Sequence, residues 1–164
     1  MNILAIDPGP THSAWVLYDP VARAVLNHGK DRNDDVRRAL YEDDTPLVIE
    51  GVASYGRPVG METFNTCIWI GRFIEAIPDP GSAKLIYRRD VKRHLCGTEN
   101  KVNDAVIRQR LIDLWGGKAA AIGRKASPGP LYGLHADEWQ ALALAVTCAE
   151  IVPNGTRLEV MDNE

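Results

Sequence analysis

The chain has 164 residues, of which 45% are hydrophobic and 25% charged, so we expect one globular domain with its own core. No apolar run approaches the roughly 20 residues that a membrane helix needs, so no membrane contact is expected. The net charge of −3 argues against a uniformly basic nucleic-acid binder, but residues 84–125 carry 11 basic and 4 acidic side chains. This basic segment favours contact with phosphate groups; a solvated basic surface is the alternative.

The first half of the chain is typical of an antiparallel meander followed by a helix and a buried strand. Strands are predicted over 2–7, 13–18, 21–27 and 47–49, and a polar helix over 31–42. Asn33 is the expected helix cap. The last of these strands is continuously apolar, which indicates burial on both faces.

The second half alternates helices with one more strand. Helices are predicted over 61–76, 90–96, 103–115 and 136–150, a strand over 84–87, and loops over 53–60 and 118–134. The tail over 153–164 is expected to be loosely ordered. Meander strands followed by strand–helix alternation predict a mixed α/β sheet flanked by helices, in one domain over 1–152.

The cysteines and the start of the chain bear on the cellular compartment. Cys67, Cys96 and Cys148 are odd in number, far apart and lack zinc-ligand spacing, which predicts buried free thiols. No charged segment followed by an apolar stretch opens the chain, so secretion is not expected. These features together predict a reducing cytoplasm.

Three acids stand at the ends of apolar segments: Asp7 and Glu50 close predicted strands, and Asp137 opens the last helix. Each alone has an ordinary explanation, as a turn former, a surface cap or a helix-dipole partner. Asp7 and Glu50, however, follow the two most buried strands, where an unpaired acid is costly. Carboxylates that converge there would repel one another unless cations neutralise them, which predicts Mg²⁺ and phosphate-ester chemistry.

Four segments in this order carry a resemblance to a known family: 3–9, 48–50, 89–98 and 137–145. They resemble the opening Asp-x-Gly strand, the second acid, the "VK…TG" segment and the C-terminal acid helix of RuvC-type Holliday junction resolvases, in the RNase H-like superfamily. Segments 53–60 and 129–133 are more similar to the bacteriophage branch. Sugar kinases and heat-shock ATPases open similarly, but they need a second domain that this chain is too short to contain.

The resemblance implies an RNase H-like mixed five-stranded sheet and a Mg²⁺-dependent endodeoxyribonuclease that resolves four-way DNA junctions by paired symmetric nicks. It implies two Mg²⁺ ions per active site, with Mn²⁺ as an alternative, roughly 4 Å apart. Asp7 would bridge the two ions. Glu50 would hold the ion beside the leaving 3′-oxygen, and Asp137 would hold the ion that activates the attacking water. Lys92 matches a family lysine near the scissile phosphate. The implied compartment is the cytoplasm of a bacterium or of a phage-infected host.

The chain departs from the family pattern at two positions. A second acid is expected three residues after Asp137, but that position is Gln140. The fourth ligand is therefore left open between Gln140, Glu138, His135 and water. A second family lysine falls in register with Asn103, and Lys101 is the nearest lysine.

Aromatic and basic side chains are candidates for DNA contact. Tyr55 and Arg57 follow the Glu50 strand, where a resolvase could contact unstacked bases at the junction centre; simple loop packing of Tyr55 is the alternative. Basic residues expected to hold duplex arms through phosphates, which position DNA without reading bases, are Lys84, Arg88, Arg89, Lys92, Arg93, Lys101, Lys118, Arg124 and Lys125.

The helix over 61–76 carries more apolar residues than one face needs, so a second subunit could cover the excess. A C2 homodimer would match the symmetry of a four-way junction, and a deeply buried helix in a monomer is the alternative. Three other functions are retained: an actin-like ATPase, a non-catalytic junction-binding module, and an RNase H-like nuclease for other branched DNA or RNA.

Overall fold

The computed structural model describes residues 1–41 and 44–151. Five strands form one sheet: β1 Ile3–Asp7, β2 His12–Asp19, β3 Ala24–Arg32, β4 Leu47–Gly51 and β5 Lys84–Tyr87. Their order across the sheet is β3-β2-β1-β4-β5. The first three pair antiparallel, whereas β4 lies parallel to both β1 and β5. The predicted mixed five-stranded sheet is confirmed.

Helices cover both faces of this sheet. They are α1 Asn33–Leu40, α2 Met61–Ala76, α3 Arg88–Cys96, α4 Asp104–Leu114, α5 Lys118–Ala121 and α6 Glu138–Ile151. A short 3₁₀ turn spans Pro80–Ser82, and a two-stranded hairpin pairs β6 Gly123–Arg124 with β7 Ser127–Pro128. Over the described ranges, no helix is both long enough and apolar enough to cross a bilayer.

The core has two parts, one on each face of the sheet. Side chains alternate between the faces of a strand, so Ala5 and Val48 meet α3, α4 and α6, whereas Ile6 and Ile49 meet α1 and α2. All four of these side chains are fully buried, as the apolar character of β1 and β4 predicts. Helix α6 is apolar nearly all round and is buried from Glu138 through Cys148.

The third strand lies further along the chain than its apolar residues predict. The carboxylate of Asp19 accepts hydrogen bonds from the backbone of Val21 and Ala22, which fixes a turn where the strand was expected to begin. The strand then continues through polar residues to Arg32, because β2 offers backbone partners as far as His12. The predicted strand over 21–27 was therefore wrong at both ends.

Asn33 does not cap α1; Arg32 is the N-cap residue and contributes no side-chain hydrogen bond. The Asn33 side chain instead accepts from Ser13 Oγ at 2.7 Å and donates to the Gly9 carbonyl at 2.9 Å. A side chain at Gly9 would come within 2.4 Å of the His12 carbonyl oxygen, so glycine is required there. These contacts hold the turn that follows Asp7.

Two further expectations need correction. The segment 118–134 is not a plain loop, since an alanine run forms α5 and a β6–β7 hairpin follows. Cys148 is buried and Cys96 is intermediate, but Cys67 is exposed on α2, contrary to the expectation of buried thiols. The predicted tail over 153–164 lies outside the described residues, as does the expected end of α1 at Glu42.

Candidate active site

Asp7 and Glu50 lie side by side in one row of residues that crosses the sheet. Along this row Lys30 is opposite Ala14, and Ala14 is opposite Asp7. Ile6 pairs with Ile49, so the next positions, Asp7 and Glu50, are neighbours at the carboxyl ends of parallel strands. Asp7 lies two residues after Ala5, and Glu50 lies two residues after Val48. Because side chains alternate between the faces of a strand, both acids point toward the face that α6 covers.

Asp137 directly precedes α6 and comes to the same edge of the sheet. It lines a cavity of about 390 Å³ together with Asp7, Lys30 and the Pro8–His12 turn. A second cavity, of about 250 Å³, is lined by Asp7, Glu50, Tyr55 and Arg88, among others. Asp7 therefore belongs to both cavities, with Asp137 on one side of it and Glu50 on the other.

Protein cations hold the two outer acids. The Lys30 ammonium lies 2.5 Å from Asp137 Oδ2, and the Arg88 guanidinium lies 3.3 Å from Glu50 Oε2. Arg88 also donates to Asp104 at the start of α4. Within residues 1–41 and 44–151, no three His, Cys, Asp or Glu side chains are arranged around one common metal position. The three acids are neighbours, but lysine and arginine engage the outer two.

The electrostatics of the site are dominated by the burial of two neighbouring carboxyl groups, Asp7 and Glu50. Burial and the nearby Glu50 raise the pKa of Asp7 from 3.8 to about 8, against a smaller opposing effect of Arg88. Burial also raises the pKa of Glu50, although Arg88 and then Lys92 act in the opposite direction. Such carboxylates are stabilised as anions by an added cation, so the donor set fits a hard divalent ion that prefers oxygen ligands.

The three protein candidates for a fourth ligand differ in their contacts. Glu138 accepts from His28 Nδ1 at 3.0 Å and from the backbone N–H of His135 at 2.7 Å, so its carboxylate closes the start of α6. The His135 side chain is exposed. Gln140 is 6% exposed, and its Oε1 is buried with no hydrogen-bond partner among the described residues. Gln140 and His135 line a third cavity, of about 290 Å³, together with Asp104.

Several predicted DNA-contact residues flank the Glu50 side of the site. Lys92 is near enough to influence Glu50, and the Arg89 guanidinium lies 5.8 Å from the centre of the Tyr55 ring. Arg88 was expected to contact DNA phosphates, but its guanidinium is directed into the acids. Nothing in the sequence indicated this, because the charge of an arginine does not reveal its partner.

The remaining basic candidates are spread over the surface. Lys84 begins β5 near Cys148 and pairs with Val48, two residues before Glu50 on β4. Arg93 lies 3.3 Å from Glu99. The other five basic candidates are exposed and lie outside the main sheet: Arg57, Lys101, Lys118, Arg124 and Lys125.

Sequence reasoning missed Lys30 and Asp104 as members of the site. Lys30 lay outside the predicted third strand, and only the true register places it in the row of Asp7. Asp104 has an ordinary place in the first turn of a helix, which gives no sign that α4 approaches Glu50. The length of β2 could have indicated Lys30. A partner strand that pairs with β2 over its full length has to continue through Lys30.

Two solved structures are similar to this chain along nearly its whole length. The Thermus thermophilus RuvC structure aligns with a TM-score of 0.64 at 17% sequence identity, covering 95% of this chain and 98% of that chain. The chain has the RuvC-type, RNase H-like fold. The structure of T. thermophilus RuvC in complex with Holliday junction substrate aligns with a TM-score of 0.65 and 17% identity, covering 95% and 97%. No protein-family model and no curated protein matches the sequence.

Proposed function

We propose that this protein is a divalent-metal-dependent endonuclease that cleaves branched DNA, with the four-way junction as its substrate. The observation that carries the proposal is the row that places Asp7 beside Glu50, with Asp137 over the same edge of a RuvC-type sheet. One of the two similar structures is a RuvC in complex with a Holliday junction substrate, which supports branched DNA as the partner. The basic segment 84–125 supports the same class of partner.

The proposed metal ligands are Asp7, Glu50 and Asp137. The fourth would be water or Gln140, whose side-chain oxygen has no hydrogen-bond partner among the described residues. Two Mg²⁺ ions, or Mn²⁺ in their place, would supply Lewis-acid stabilisation of the phosphate and an activated water. Other residues of the chain hold these ligands in position. Glu138 and the His135 backbone fix the start of α6 and hence Asp137, and the Asn33 contacts fix the turn after Asp7.

On the Glu50 side of the site, phosphate groups would meet the basic side chains of Arg89 and Lys92. Lys92 is near enough to Glu50 to lower the pKa of its carboxyl, and it would stabilise charge on a bound phosphate. Arg89 and Tyr55 lie together beside the second cavity, so that a nucleobase could stack on the exposed tyrosine ring. Exposed basic residues of α5 and the hairpin would contact duplex arms. Binding should weaken steeply as salt concentration rises.

A homodimer is part of the proposal. Met61, Phe64 and Ile68 form one stripe on α2 and are 72%, 54% and 54% exposed in the single chain. Helix α2 is therefore not deeply buried in the single chain, contrary to the alternative prediction. A C2 pair joined through this stripe would present two active sites to two strands of a symmetric junction. Membership of the bacteriophage branch and a cytoplasmic location remain predictions.

A nicking assay tests the proposal. Labelled four-way junction, linear duplex, flap and RNA–DNA hybrid are incubated with wild type and Asp7→Asn, with and without Mg²⁺. We expect paired symmetric nicks in the junction that need Mg²⁺ and are lost in Asp7→Asn, which should still bind the junction.

Other outcomes would favour the alternatives. Cleavage confined to flaps or hybrids would indicate a different nuclease of the same fold. Junction binding without any nick would indicate a non-catalytic module. ATP hydrolysis without DNA would indicate an actin-like ATPase and contradict the proposal.

A further inference from the structure

Lys30 is the residue of β3 that reaches the acids. It lies in the same cross-sheet row as Asp7, two strands away, and its ammonium contacts Asp137 at 2.5 Å. Lys30 is 46% exposed and Asp137 is 49% exposed, so the pair lies at the mouth of its cavity rather than within the core. Asp7 lines the same cavity, so the ammonium faces the central acid as well.

Lys30 and Arg88 hold the two outer acids differently. Arg88 is 28% exposed and is anchored by both Glu50 and Asp104, so its planar guanidinium is fixed between two carboxylates. Lys30 has Asp137 as its ion-pair partner within the described residues, and it ends a flexible side chain that faces solvent. Of the two cations, Lys30 is the one that can change partner at small cost.

A divalent ion at Asp137 would change the balance of forces on Lys30. The ion and the ammonium carry charge of the same sign and would compete for the same carboxylate. Besides Asp137, two anions act on Lys30: Asp7, which would bind the same ion, and Glu138, which is already hydrogen-bonded to His28 and to the His135 backbone. A phosphate group in the cavity is then the available negative partner for the displaced ammonium.

We propose that Lys30 contacts the bound DNA strand: it neutralises Asp137 before a divalent ion arrives, and it then moves to a phosphate oxygen in the same cavity. This inference deepens the proposed function and rests on it. Lysine suits this role because its ammonium is a compact charge with donors that rotate freely. The expected signature is opposite effects of one substitution on metal affinity and on DNA affinity.

The first arm of the test measures metal binding without DNA. Mn²⁺ is titrated calorimetrically into wild type, Lys30→Met, Lys30→Arg and the control Arg38→Met, which breaks an exposed ion pair with Asp35 on α1. Lys30→Met should bind Mn²⁺ about two- to fivefold more tightly, the scale of an exposed ion pair. Lys30→Arg and the control should stay near wild type. Unchanged or weaker Mn²⁺ binding by Lys30→Met would overturn the first half of the proposal.

The second arm measures four-way-junction affinity in EDTA and in Ca²⁺. Lys30→Met should match wild type in EDTA but bind about three- to tenfold more weakly in Ca²⁺, because the phosphate contact forms only when an ion holds Asp137. Equal affinities in Ca²⁺ would overturn the second half. At saturating Mn²⁺, single-turnover cleavage by Lys30→Met should fall about tenfold or more, and Lys30→Arg should retain most of it.

The two proposals fail in different ways. A wild type that neither binds nor cleaves any branched DNA removes the proposed function, while the Mn²⁺ titration still shows whether Lys30 competes at Asp137. A wild type that cleaves junctions, with Lys30→Met equal to it in all three assays, removes only the role of Lys30. Thermal melting of each variant verifies that the fold is retained.

Discussion

Asp7→Asn is expected to stabilise the metal-free protein while abolishing metal binding at the site. Burial and the charge of Glu50 raise the pKa of Asp7 from 3.8 to about 8, so its ionised form is disfavoured in the folded state. The unfolded chain does not impose this cost. Asparagine keeps the shape of the side chain without the charge, so the substitution removes the penalty and little else.

The sign and size of the effect follow from proton linkage. Between about pH 4 and pH 8 the folded protein holds a proton on Asp7 that the unfolded chain has released, so the free energy of unfolding falls as pH rises. The full difference in pKa corresponds to a penalty on the order of 5 kcal/mol, most of it reached by pH 7. Asp7→Asn should therefore match wild type near pH 4 and exceed it increasingly up to pH 8.

Urea unfolding in EDTA at pH 4, 6, 7 and 8 measures this difference. Asp44→Asn, at an exposed aspartate, is the matched control and should follow the wild-type curve. Added Mg²⁺ should stabilise wild type at pH 8 and leave Asp7→Asn unchanged, since ligand binding stabilises the folded state alone. Parallel curves for wild type and Asp7→Asn across this pH range would refute the reasoning.

The remaining predictions concern the other outer acid, the core and the α2 stripe. Arg88→Ala leaves the Glu50 carboxylate without its guanidinium and should lower the free energy of unfolding by about 1–3 kcal/mol at pH 8 in EDTA, but less at pH 4; an equal loss at both pH values would contradict this. Leu142→Ala, at a fully buried position on α6, should cost about 2–5 kcal/mol by chemical denaturation, and a loss below about 1 kcal/mol would contradict the packing described. Phe64→Glu, on the exposed stripe, should convert a dimer to a folded monomer in sedimentation experiments; a wild type that is itself a monomer would refute the dimer proposal.

The elements with clear local signals were predicted accurately. Met61–Ala76 and Lys84–Tyr87 have the bounds that the sequence predicts, because glycine and proline residues flank a periodic helix and a short apolar strand. The burial of β4 on both faces also followed from its continuous apolar character. Strand β3 was placed wrongly, since its polar second half pairs with β2 for reasons that lie in β2 and not in its own residues.

The acids of the site could be predicted, but their protein partners could not. An acid at the end of a buried strand is conspicuous, and parallel pairing of β1 with β4 then makes Asp7 and Glu50 neighbours. The position of Lys30 beside the acids depends on the register of three strands. The position of Asp104 depends on where α4 packs. These are consequences of tertiary structure, and no local spacing in the sequence encodes them.

The shared use of Asp7, Glu50 and Asp137 as metal ligands is the central claim, and anomalous scattering from Mn²⁺ tests it most directly. Crystals soaked in Mn²⁺ should show anomalous peaks about 2.0–2.3 Å from carboxylate oxygens of Asp7, Glu50 and Asp137, with Lys30 moved away from Asp137. Manganese bound only elsewhere on the protein, with the Lys30–Asp137 and Arg88–Glu50 pairs intact, would contradict the account.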